Sequence, residues 1–224
     1  MKKAIAILLS LTMILVFAAC GNSASQTEQP STEDTSVESK AHTKSAESST
    51  DMENTDNQDV QDHKVLVAYF SATGTTKSVA VHIANGLNAD IYEIVPEEPY
   101  TDADLDYNDN NSRTTIEMND PNARPVISGS VENMEQYDTV FIGYPIWWGE
   151  APRIVSTFME SYDFSGKTIV PFCTSGGSGI GSSASNLERL TSGATWLDGR
   201  RLNGSDSQDT VMEWVNSLDL NLAE

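Results

Sequence analysis

Ser71-Ala72-Thr73-Gly74-Thr75-Thr76 sets four hydroxyls around one glycine. The stretch follows the apolar run Val65-Leu66-Val67-Ala68-Tyr69-Phe70. It precedes Val79, Ala80, Ile83, Ala84 and Leu87, which recur at helical spacing. A loop of this kind joins a buried strand to a helix N-terminus, where backbone N–H groups lack partners and the helix dipole is positive. Hydroxyls and amides converging at that point suit a phosphate group. With no lysine or metal ligand inside the loop, a phosphate monoester fits better than a triphosphate.

Two further loops have unusual composition. Tyr144-Pro145-Ile146-Trp147-Trp148-Gly149-Glu150 offers large aromatic planes beside a glycine. Thr174-Ser175-Gly176-Gly177-Ser178-Gly179-Ile180-Gly181-Ser182 offers bare backbone that can approach a flat polar ring. A planar cofactor with a phosphate tail would use all three loops.

Their positioning follows from the order of elements. Strands are read at Val65–Phe70, Ile91–Val95, Thr139–Gly143, Thr168–Cys173 and Ala194–Leu197, the last extending toward Leu202. Helices are read at about Lys77–Leu87, capped by Thr75 or Thr76, from Pro152 onward, at Ala184–Leu190, and through Val211–Leu218. The polar stretch from Glu97 to Ser130 holds a short helix around Ser112–Met118. Alternating helices and uniformly apolar strands predict an α/β fold. Its core is a doubly wound five-stranded parallel sheet with helices on both faces. All three loops then lie at the carboxyl ends of the strands, beside the switch in strand order where such folds bind ligands.

Over Lys64–Glu224 the chain resembles the flavodoxin-like family. Ser71-x-Thr73-Gly74-x-Thr76 matches the family's FMN-phosphate loop, and Trp148-Gly149-Glu150 its flavin-flanking Trp-Gly-acid segment. The Pro145-Ile146-Trp147-Trp148 form is most similar to a bacterial subfamily with some lipoprotein members. The resemblance implies that Ser71, Thr73, Gly74, Thr75 and Thr76 hold the phosphate of FMN. It places Pro145, Ile146, Trp147, Trp148 and Gly149 along the dimethylbenzene and N5 side. Thr174, Ser175, Gly176, Gly177, Ser178 and Gly179 then supply backbone to the pyrimidine side. Trp148 is expected to stack on the ring, and Trp147 is left to packing. Gly149 would let a neighbouring carbonyl turn toward the flavin. The third loop lacks the aromatic that often covers the second flavin face, and Glu97–Ser130 is longer than the usual connection. Tyr100 and Tyr107, both in that connection, are the candidates to cover the ring.

Outside the domain, residues 1–20 form a short basic start and an apolar run ending Phe17-Ala18-Ala19-Cys20, similar to a lipoprotein signal in which Cys20 is lipidated. Residues 21–62 read as a disordered, acidic Ser/Thr-rich tether, leaving 63–224 as one domain. The formal net charge is −20. The tether carries ten acids against two lysines and the domain 23 acids against nine Lys and Arg, which disfavours nucleic acid and attracts basic surfaces. With Cys20 lipidated, Cys173 is a lone, buried small hydrophobe. Asp102, Asp104 and Asp106 lack the glycine and glutamate of a calcium loop. Lys77 lacks the preceding glycine of a P-loop, and Ser182 breaks a dinucleotide fingerprint. No G-x-S-x-G occurs. No metal site is read. The leading expectation is an FMN-binding redox protein that transfers electrons, lipid-anchored outside the cytoplasmic membrane. It would exchange electrons with a partner protein or a small quinone-type acceptor. An FMN-dependent NAD(P)H or quinone reductase and a flavin-free binding module are the alternatives.

Overall fold

A computed structural model describes residues 63–218 and residue 220. The signal-type segment, Cys20 and the tether lie outside the described residues. The central sheet consists of β1 (Lys64–Tyr69), β2 (Asp90–Glu93), β5 (Tyr137–Pro145), β6 (Thr168–Thr174), β7 (Thr195–Trp196) and β8 (Arg200–Leu202). Every pairing within it is parallel, in the order β2-β1-β5-β6-β7, with β8 also on β6. The doubly wound parallel architecture read from the sequence is therefore present.

Strand alternation builds two cores. Val65, Val67 and Tyr69 face α1 (Thr75–Leu87) and α5 (Gln208–Val215), joining Val79, Ile83, Val211 and Trp214. Leu66, Ala68 and Phe70 point to the opposite face, with Ile154, Val155 and Phe158 of α3 (Arg153–Glu160) and Leu187 of α4 (Ser183–Glu188). Gly143 is required where β5 passes β6, because an added Cβ would lie 2.1 Å from the Phe172 ring.

Two expected strands differ. Ile91–Val95 divides: β2 stops at Glu93, and Val95–Pro96 turns away as β3 to pair antiparallel with β4 (Ile127–Ser128). This small ladder closes the base of the long connection. The last strand is split between β7 and β8. The Ile169 carbonyl accepts from Leu197 N–H at 2.9 Å, so Pro171, two residues on, faces the same neighbour. It has no N–H to complete that stretch of ladder.

The connection itself is ordered against α3. Ser112 caps α2 (Arg113–Asn119), its Oγ accepting from Thr115 N–H. Arg153 donates to the Met118 carbonyl at 3.0 Å, Thr157 Oγ1 to the Pro125 carbonyl at 3.0 Å, and Arg124 forms a two-pronged pair with Glu160 at 2.7 and 2.8 Å. Among the described residues no helix is long and apolar enough to cross a membrane.

Candidate functional site

The three loops meet at the carboxyl edge of the sheet around a cavity of about 430 Å³. The first loop contributes Ser71, Thr73, Thr75 and Thr76, the second Pro145, Ile146, Trp147 and Trp148, and the third Thr174, Ser175 and Gly176. Gly74 and Gly149 shape the backbone without lining the cavity. Gly177, Ser178 and Gly179 are exposed beyond its rim. No charged side chain is among the walls.

In the first loop, Gly74 has φ +84° and is the N-cap of α1, with no side chain capping the helix. This departs from the expectation that Thr75 or Thr76 caps it. Both threonines lie inside the first turn, and Thr76 Oγ1 instead meets Thr174 Oγ1 at 2.8 Å in a buried hydroxyl pair that ties the first loop to the third. The Gly74 carbonyl accepts from Ser78 N–H at 3.2 Å, so the turn is wound while its leading N–H groups remain unclaimed by side chains. Ser71 Oγ is buried and has no hydrogen-bond partner. An orphaned hydroxyl beside an uncapped helix of 13 residues is a donor set suited to an anion.

The second loop is a two-residue turn. Trp147 N–H donates to the Glu150 carbonyl and Glu150 N–H to the Trp147 carbonyl, both at 2.9 Å. Trp148 (φ +49°) and Gly149 (φ +82°) are both left-handed, as a type I′ turn requires. Trp147 packs edge-on against Phe70 and Tyr100, with ring centres 5.5 and 5.4 Å apart, while Trp148 is 47% exposed. A left-handed tryptophan at a turn tip carries strain of about 1–2 kcal/mol and marks the position as one of interest. The turn also constrains the motion expected at Gly149. Rotating the 148–149 peptide would leave Trp148 at positive φ with ψ turned by half a revolution, a region open essentially to glycine alone. The glycine permits the motion and its neighbour opposes it. Glu150 accepts from Asn186 Nδ2 at 2.7 Å and Ser182 Oγ at 3.2 Å, so this acid anchors α4.

Ser175 organises the third loop, its Oγ donating to the Ser178 carbonyl and accepting from Gly177 N–H at 3.3 Å. Two residues overlooked in the sequence hold these loops from behind. Arg201 donates to Ser175 Oγ and to its carbonyl, both at 3.1 Å. At Gly204 an added Cβ would lie 2.6 Å from Thr75 Cγ2. No local spacing signals either contact, which arises because β8 lies beside β6. Cys173 is fully buried, and burial pushes its thiol up to about 11, so it stays protonated and inert.

The long connection reaches the same cavity through Leu105, Tyr107 and Thr114. Tyr107, 74% exposed, also borders an adjoining space of about 250 Å³ with Ile146, Trp147 and Trp148. Tyr100 stands behind Trp147 and is outside the cavity walls.

A doubly wound parallel sheet with a ligand cavity at its carboxyl edge defines the class. Residues 64–218 match the flavodoxin family model, and the chain belongs to that family. Two solved structures of proteins named as flavoproteins are similar to it. The one from Bacteroides eggerthii is 48% identical, with a TM-score of 0.67, covering 70% of this chain and 99% of its own. The one from Bacteroides uniformis is 47% identical, with a TM-score of 0.66, covering 69% and 98%. A flavoprotein from Lactobacillus acidophilus, solved in complex with FMN, shares the fold at 22% identity and a TM-score of 0.52, covering 68% of this chain and 99% of its own. No curated protein matches.

Proposed function

We propose that the chain binds FMN in this cavity and passes electrons through it. The observation that carries the reading is the orphaned Ser71 hydroxyl beside the uncapped α1 N-terminus, in a cavity free of charged side chains. Ser71, Thr73, Thr75 and Thr76, with the amides around Gly74, hold the phosphate. Trp148 and Tyr107, the two exposed aromatics at the rim, flank the ring, and Thr174, Ser175 and Gly176 meet its polar edge. FMN supplies one- and two-electron transfer when bound. The protein's part is to orient it, exclude water with Trp147 and Ile146, and accept the phosphate charge on neutral dipoles. The partner is a basic protein surface or a small quinone-type acceptor. Lipidation at Cys20 holds the domain outside the cytoplasmic membrane on its tether.

The deciding experiment is purification of the full chain, followed by visible absorbance and titration of flavin-free protein with FMN. Bound FMN at one per chain supports the reading. Colourless protein that takes up no FMN refutes it and leaves the flavin-free binding module. Release of the protein from membranes by Cys20→Ser tests the anchor.

A further inference from the structure

The long connection carries a cluster that flavin binding does not use. Tyr100 Oη donates to Glu117 Oε2 at 2.6 Å, and Arg113 Nε donates to Glu117 Oε1 at 2.7 Å. The Arg113 guanidinium carbon lies 4.2 Å from the centre of the Tyr100 ring. The Arg113 and Glu117 side chains are only 24% and 12% exposed. On its other side Tyr100 touches Trp147, whose indole lines the cavity, at 5.4 Å between ring centres. Phe70 completes the aromatic triangle at 5.5 and 5.8 Å. An oxidisable ring at the cavity wall thus touches a phenol already bonded to a carboxylate. Burial and Glu117 together keep that phenol protonated.

We propose that Tyr100 is a proton-coupled relay that draws oxidising equivalents off Trp147 and away from the cavity. The oxidant is a one-electron acceptor at the cavity, an oxidising radical or a photoexcited flavin. It takes one electron from the Trp147 indole, leaving an indolyl radical cation. Tyr100 returns one electron to that indole, and its phenolic proton moves along the 2.6 Å bond to Glu117 Oε2. The products are neutral Trp147, a neutral phenoxyl radical on Tyr100 and a neutral Glu117 carboxyl, so charge and protons balance. Arg113 is a positioning residue that fixes the carboxylate with Oε2 toward the phenol. The wall residue is restored, and the radical rests on the half-buried Tyr100 ring. The relay uses this chain's own side chains, so it stands or falls independently of FMN binding.

Pulse radiolysis of the full chain in azide solution tests it, with azidyl radicals oxidising indoles. In the wild type, indolyl absorbance decays as phenoxyl absorbance grows, in a first-order phase independent of protein concentration and slowed in deuterated water. Tyr100→Phe and Trp147→Phe each abolish that phase. Glu117→Gln, with folding verified by near-ultraviolet circular dichroism, slows it on the order of 10²-fold, the size of a general-base contribution. Three results overturn the proposal. They are absence of the phase in the wild type, its persistence at the wild-type rate in Tyr100→Phe or Glu117→Gln, and a solvent isotope effect of unity.

Discussion

Replacing Ser71 with alanine should move stability and ligand affinity in opposite directions. Its hydroxyl is buried and unpartnered, and a buried polar group in that state costs about 1–3 kcal/mol. Removing one oxygen leaves almost no void. Taking the lower end, Ser71→Ala gains about 1 kcal/mol without FMN, which raises the urea midpoint by roughly 0.5 M and Tm by about 2–4 °C. On the proposed FMN binding, the same change also removes a hydrogen bond to the charged phosphate, worth about 1.5–3 kcal/mol, and should weaken the Kd roughly 10- to 100-fold. At an FMN concentration 100 times the wild-type Kd, wild-type stabilisation is about 2.7 kcal/mol and falls to about 0.4 kcal/mol for a hundredfold weaker variant. The order of stability therefore reverses when FMN is added. Paired urea titrations with and without FMN, together with calorimetric Kd values, read out both halves. A variant less stable than wild type without FMN, or one that binds FMN equally well, would refute the assignment of Ser71 as an unmet phosphate donor.

Two other expectations come from buried groups around the site. Thr76→Val and Thr174→Val should each cost about 1–3 kcal/mol by stranding the partner hydroxyl, while the double variant costs no more than either single. Additivity within about 0.5 kcal/mol in urea unfolding would show that the 2.8 Å pair contributes nothing. Burial pushes the Cys173 thiol up to about 11, from an ordinary thiol value of 9.0. Its neutral form is therefore fully stabilising below pH 9 and the contribution is lost as pH rises toward 11. The urea midpoint should fall more steeply across that window in the wild type than in Cys173→Ala, and parallel slopes would contradict the buried thiol.

The sheet and its three loops were legible because they depend on local pattern. Apolar strands at β1, β5 and β6 alternate with helical spacing, and the loop residues follow each strand directly. What escaped depended on contacts distant in sequence. Arg201 and Gly204 reach the site only because β8 lies beside β6, and no spacing rule connects Ser175 with a residue 26 positions later. The sequence offers Thr75 or Thr76 as the α1 cap, but the partner of the Thr76 hydroxyl is Thr174, 98 residues away. The break in the last strand was written in Pro171, one strand over from where it acts. Tyr100 and Tyr107 were equal candidates to cover the ring until α2 and the β3–β4 ladder gave them different neighbours.

The divided fifth strand has a consequence for how such a chain behaves in company. An open sheet exposes unpaired backbone at each margin, a template on which other chains can zip. Here one margin is two residues, a gap over residues 197–199 and three residues beginning with Arg200 and Arg201. The other is four residues bounded by Asp90 and Glu93. Neither offers the long, flat, uncharged run that cross-chain pairing needs. The interruption that Pro171 forces thus guards against fibrillar self-association when many copies are held close together.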